Sequence, residues 1–245
     1  MTKHVSHASP AVRRGSIAVL LLALACALAQ NPAVASAQSP PAPSLGLDTA
    51  FSPPSGIARD GTSNTSDTAG GVAVDGDRIY TVGESNGDVA IIARTPNGAL
   101  DPGFAGDGRL DLPIGQGKDA GVAVAVLPDH RLRVLASTDS DPSASATNID
   151  VALIGLNADG TDDSSFGGGD GRVSFPVGAR DDTPTRMAVD ATGRLAIAGW
   201  TKDAAGEEDS FVSLREADGS AASELGPAAT PIRPPYSSVG ISTSP

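Results

Sequence analysis

The sequence predicts an all-β fold, a tandem repeat of about three four-stranded units, and three observations carry that reading. Asp88–Gly98 (DVAIIARTPNG), Asp150–Gly160 (DVALIGLNADG) and Asp209–Gly219 (DSFVSLREADG) align with one another at offsets of 62 and 59 residues, and a fixed internal period is the signature of repeat architectures. The 29 glycines and 19 prolines among 245 residues interrupt most windows long enough for a helix. Within the second copy, Leu132, Val134 and Ala136 alternate, with Arg131 and Arg133 between, the period of a half-buried strand.

Taken in chain order, the first 37 residues read as a secretory signal peptide. Lys3, Arg13 and Arg14 form a basic start, and Ile17–Ala29 run apolar without a charge. That run is shorter than the ~20 residues a membrane-spanning helix needs. Small-residue pairs at Ala27/Ala29, Ala33/Ala35 and Ala35/Ala37 offer cleavage sites, and cleavage after Ala37 is the expectation. Cys26, the only cysteine, lies inside the apolar run, with Ala23 where a lipid-attachment motif prefers Leu. The chain is therefore expected to be secreted or periplasmic, with no stable membrane span after removal of the leader.

Residues 38–44 form a Pro-rich linker, residues 45–226 the repeat domain, and residues 227–245 a tail expected to lack packed structure. In the first unit, strand a is expected at Val72–Val74, strand b at Arg78–Val82 after an Asp-Gly-Asp turn, strand c at Val89–Arg94 and strand d at Arg109–Ile114. β-Branched and aliphatic residues fill the strands and turn formers fill the gaps. The second unit repeats the order. The third is expected to have strands a, b and c at Met187–Val189, Arg194–Ala198 and Ser210–Arg215, but prolines at 227, 231, 234 and 235 spoil the stretch where strand d belongs. Gly98, Gly160 and Gly219 each precede an anchor, Phe104, Phe166 or Leu225, by six residues. An orphan Asp-x-x-Phe turn, Asp48–Phe51, precedes the first unit. The expectation is that Ser55–Arg59, following it, pairs with strand c of the third unit and ties the two ends together.

The units resemble the delta-60 repeat family of bacterial exported and surface proteins. The matching residues are Arg78-Ile79, Arg131-Leu132 and Arg194-Leu195 at strand starts, Val82-Gly83 and Ala198-Gly199, Asn157-Ala158-Asp159-Gly160, and the Asp-x-x-Phe turns Asp101–Phe104 and Asp163–Phe166. Leu135-Ala136 replaces the small-Gly pair in the second unit, and Leu225 replaces Phe in the third. The resemblance implies a propeller-like arrangement with four strands per blade and a role in recognition or at surfaces, with no reaction. Three blades fall below the usual four to eight, so an incomplete ring is expected, one that a homodimer would complete.

Composition excludes several functions. Removing the leader takes three basic residues and no acidic ones, leaving 14 basic against 29 acidic, a net charge of −15. Such a surface repels nucleic acid and anionic membrane. His130 is the only histidine outside the leader, so neither a zinc site nor a Ser-His-acid constellation has its usual residues. Gly83–Gly87 spells G-x-S-x-G around Ser85, but it joins two strands where a nucleophile elbow needs a following helix. No catalytic or cofactor-binding residue is assigned. Asp75, Asp77, Asp139, Asp141 and Asp170, in Gly- or Ser-rich stretches, are the candidate metal ligands. The metal such residues would take is calcium, which binds carboxylate and carbonyl oxygens; turns also select Asp for its hydrogen bonds alone, and no cofactor is expected. Asp181-Asp182 and Glu207-Glu208-Asp209 read as further acidic loops. Trp200, the only tryptophan, is the candidate ligand contact, read at the hairpin between strands b and c. The expected function is non-catalytic recognition or scaffolding, with a protein or glycan partner. The alternatives are an enzyme acting on extracellular polymer, which needs two facing carboxylates, and a calcium-stabilised structural element.

Overall fold

The structure is a computed structural model that describes residues 46–59, 66–140 and 148–222. The expected leader, the expected linker, Asp141, Leu225 and the Pro-rich residues 227–245 lie outside the described residues. Chain contacts define two units, Met1–Gly46 and Leu47–Pro245, and everything below concerns the second.

The fold is all-β. Strands β1 (Thr68–Asp75), β2 (Arg78–Ser85), β3 (Asp88–Arg94) and β4 (Arg109–Leu112) form the first sheet. Strands β5 (Asp119–Val126), β6 (Leu132–Asp139), β7 (Ile149–Leu156) and β8 (Arg172–Phe175) form the second. Strands β9 (Asp182–Val189), β10 (Leu195–Lys202) and β11 (Glu208–Arg215) form the third. Each sheet is an antiparallel meander in chain order and none closes on itself. This is an incomplete propeller-like arrangement of three blades. Most strands are longer than the apolar cores that announced them, but β4 stops at Leu112, because Pro113 has no amide to continue the ladder.

Strand alternation assigns the two faces of each sheet. Tyr80, Val82, Val89, Ile91 and Ala93 of the first sheet pack against Leu132, Val134, Ala136, Ile154 and Leu156 of the second. The opposite face of the second sheet, with Leu135, Val151 and Leu153, packs against Leu195, Ile197 and Phe211 of the third. Each fully buried aliphatic or aromatic side chain of this kind contributes about 1.5–3 kcal/mol. The sheets meet at their first strands. A Cβ on Gly70 of β1 would lie 2.1 Å from the carbonyl oxygen of Gly121 in β5, so only glycine permits that backbone approach.

The expected pairing of Ser55–Arg59 with strand c of the third unit does not occur. β11 pairs with β10 alone among the described residues. Ser52–Gly56 is an irregular helical turn, and the segment lies against the first sheet. Ser52 N–H donates to the Asn97 carbonyl at 2.8 Å, and a Cβ on Gly98 would touch the Phe51 ring at 3.2 Å. The same dock recurs twice. Ala105 N–H donates to Asp159 O at 2.8 Å and Gly167 N–H to Asp218 O at 3.0 Å, with Phe104 against Gly160 and Phe166 against Gly219. Each aromatic anchor therefore covers the turn glycine of the following unit, not the glycine six residues before it. The orphan turn at Asp48–Phe51 is docked on the first unit as though a unit preceded it.

Candidate functional site

The predicted ligand residues are dispersed. Asp75 ends β1, and its Oδ2 lies 2.7 Å from His130 Nδ1, across the junction of the first two units. Asp77 is exposed in the following turn, beside the same recess. Asp139 ends β6, not a loop, and accepts the Asn148 amide at 3.3 Å. Asp170 is exposed and caps its own turn by accepting Arg172 N–H at 3.0 Å. Among the described residues, no three His, Cys, Asp or Glu side chains come together as a metal site.

Of the acidic pair, Asp181 lies in the loop before β9, whereas Asp182 is the first residue of the strand. Asp182 is fully buried and accepts Val177 N–H at 2.6 Å and Gly178 N–H at 3.0 Å. Asp119 holds the preceding loop in the same way, through Ile114 N–H at 2.6 Å and Gly115 N–H at 3.0 Å. Both carboxylates, themselves buried, satisfy half-buried backbone donors of the inter-sheet crossover. Asp150 is pushed up, first by burial and then by the nearby Asp182 and Asp139 carboxylates, against a 2.9 Å bond from Ser140 Oγ. Glu208 and Asp209 lie inside β11.

Ser85 is the buried last residue of β2, and Asn86-Gly87 turn directly into β3. It has neither the exposure nor the following helix of a nucleophile elbow. Trp200 is not at the hairpin tip; it lies in the body of β10, half-buried, opposite Ser210, with Lys202 Nζ 5.3 Å from its ring centroid.

A charged core that the residue pattern did not announce sits between the second and third units. Arg133 is buried, with its guanidinium 4.5 Å from the Phe166 centroid and 3.0 Å from Asp163 Oδ2. Arg131 reaches the same oxygen at 2.8 Å. Burial alone would raise the Asp163 carboxyl. Bonds from the Ser165 side chain and amide and the charges of Arg133 and Arg131 outweigh it and bring it down to about 2. Burial pushes the Arg133 guanidinium down, against the pull of Asp163. Arg78 and Asp101, 2.6 Å apart, are the partly exposed equivalent in the first unit. In the third unit Ala222 replaces the Asp, and Arg194 pairs with Asp190 at 2.9 Å. Sequence alignment placed these arginines at strand starts. It did not indicate that a second arginine, Arg133, reaches the same carboxylate from within the core.

A cleft of ≈ 560 Å³ lies between Phe51, Ala58 and Arg59 and the outward face of the first sheet. That face carries Val72, Ile79, Thr81 and Ile92. Val72 and Val74 are 65% and 66% exposed. Their counterpart Val124 in the second sheet is 9% exposed and packed in the core, and Val126 and Val189 are covered too. At the other end, Ala198, Trp200, Val212 and Leu214 share the outward face of the third sheet. The stack therefore ends on two sheet faces of the kind that its interior buries. Among the described residues, no helix is long and apolar enough to cross a membrane. No protein-family model and no curated protein matches the chain.

Proposed function

We propose that the chain is an exported, non-catalytic recognition or scaffold module of delta-60-like repeats that binds a protein partner through the uncovered ends of its sheet stack. The observation that carries this reading is the exposure of Val72 and Val74, 65% and 66%, where the equivalent valines of the later sheets are covered by a neighbouring sheet. Exposed apolar surface set in an otherwise charged protein marks contact sites. The chemistry available at the cleft fits binding better than turnover. Ser85 is buried, and Glu84 is held by Lys118 at 3.3 Å.

The test is capture of envelope and secreted proteins on immobilised protein, wild type beside a Val72→Asp, Val74→Asp double variant. A partner retained by the wild type and lost by the variant, with an unchanged β circular-dichroism spectrum, is the expected result. Equal capture by both proteins, or turnover of an extracellular polymer, overturns the reading.

A further inference from the structure

The third sheet lacks its fourth strand among the described residues, while the chain carries the last quarter of a blade that has no sheet. That quarter is Asp48–Arg59. Its turn has the bonds of a blade-closing turn. Phe51 N–H donates to Asp48 O at 3.1 Å, as Phe104 does to Asp101 and Phe166 to Asp163 at 3.0 Å each. Ala50 N–H donates to Asp48 Oδ1 at 2.9 Å, as Gly103 does to Asp101 and Ser165 to Asp163. In the first sheet, the residue six beyond the anchor Phe is Leu110, and it pairs with Ile91. Six beyond Phe51 is Ile57, already extended at φ −134°, ψ 119°.

The counterpart of Ile91 in the third sheet is Val212. Ile91 is fully buried, whereas Val212 is 39% exposed and Ile57 is 48% exposed. Each has the partner that the other lacks, yet in one chain Ile57 is held at the first sheet and Val212 is on the third.

We infer that Gly56–Arg59 of one copy adds as a fourth strand to β11 of a second copy, setting Ile57 against Val212. This rests on the reading of the uncovered sheet faces as contact surfaces, and it identifies the partner as the chain itself. The addition stacks the outward face of one copy's first sheet, with Val72 and Val74, on the outward face of the other's third sheet, with Trp200 and Leu214. Repeat spacing is preserved, because Phe51 stays docked on its own Gly98.

The competing occupant of β11 is the chain's own continuation past Ala222, and its residues are the poorer match. Where the arm has Asp48, Phe51 and Ile57, the continuation has Ala222, Leu225 and Pro231. Proline gives a ladder no amide. The bond from Ala222 N–H to Leu214 O is 3.2 Å, against 2.9 Å for Asp101 N–H to Ala93 O and for Asp163 N–H to Gly155 O.

The experiment uses the full chain in a Cys26→Ser background, which is free of cysteine. Ile57→Cys and Val212→Cys proteins are made separately, mixed and oxidised, with the exposed hairpin variant Ala204→Cys as control. The expected product is a disulfide-linked dimer holding one chain of each type, formed with Val212→Cys and not with Ala204→Cys. Sedimentation of the cysteine-free protein should show association that Ile57→Asp weakens about tenfold or more, the effect of losing one buried aliphatic contact. Association without the mixed disulfide overturns the arm as the contact. A mixed disulfide that forms only after residues 223–245 are deleted assigns β11 to the tail, and closure within a single double-cysteine chain assigns it to the same copy. Both overturn the proposal. If the mixed disulfide fails while the Val72→Asp, Val74→Asp variant still loses a captured partner, the proposed function stands and only the self-association falls.

Discussion

The ring of Phe104 covers Gly160 of the following unit, so closely that a Cβ on that glycine would lie 3.1 Å from Cε2. Gly160 also has φ +87°, a conformation that a side chain resists. Gly160→Ala should cost about 2 kcal/mol, from strain plus displacement of the ring. Gly76→Ala tests the backbone contribution alone, since Gly76 has φ +56° and open space around it, and should cost about 1 kcal/mol. Urea unfolding of the two variants measures the difference, and equal midpoints would remove the docking role of Phe104.

Arg133 and Asp163 form the most deeply placed ion pair among the described residues, with side chains 1% and 5% exposed. Truncating one partner of a buried pair leaves the other uncompensated. Arg133→Ala should therefore destabilise by about 3 kcal/mol, and Arg131→Ala by less, because its guanidinium is more exposed and Arg133 still holds the carboxylate. Thermal or chemical unfolding of both variants gives the ranking.

The same pair predicts an acid limit. The Asp163 carboxyl lies at about 2, below its ordinary 3.8. A depressed carboxyl stabilises the fold above its unfolded value, and the contribution disappears as pH falls through the folded value. Stability should thus drop by about 2 kcal/mol between roughly pH 4 and pH 2 on account of this group. In Asp163→Asn that fall should be absent and the protein less stable at neutral pH. Urea midpoints across pH 2–5 for the two proteins give the comparison.

Asp119 and Asp182 hold the crossovers that lead into the second and third sheets. Asp119→Ala and Asp182→Ala each remove the acceptor of the half-buried amides at Ile114-Gly115 or Val177-Gly178. A loss of about 2 kcal/mol is expected for each. Faster hydrogen exchange confined to those amides at neutral pH would locate the effect.

Ser85→Ala should leave ester hydrolysis at the level of the unsubstituted protein. The hydroxyl is buried at a two-residue hairpin, and no helix follows it. A turnover that the substitution abolishes would contradict the non-catalytic reading.

Residue order alone determined the strand content, the repeat offsets and the turns, because these depend on local properties: alternation across a pleat, the absence of an amide at proline, and the side-chain oxygen of Asp that bonds its own turn. The three Asp-x-x-Phe turns were legible for that reason. The candidate site was much less legible. Asp75 and His130 lie 55 residues apart, and only the stacking of two sheets brings them together. Trp200 was placed at a hairpin, whereas β10 runs through it to Lys202; Ser85 does lie at its hairpin, as the last residue of β2. The anchor aromatics were grouped with the glycines that precede them along the chain, whereas packing gives each ring to the next unit. The destination of Ser55–Arg59 turned on the same point. Spacing identifies the segment as the end of a blade, but a strand edge has no memory of chain order, so only the tertiary structure decided that Phe51 docks on Gly98 and leaves β11 open.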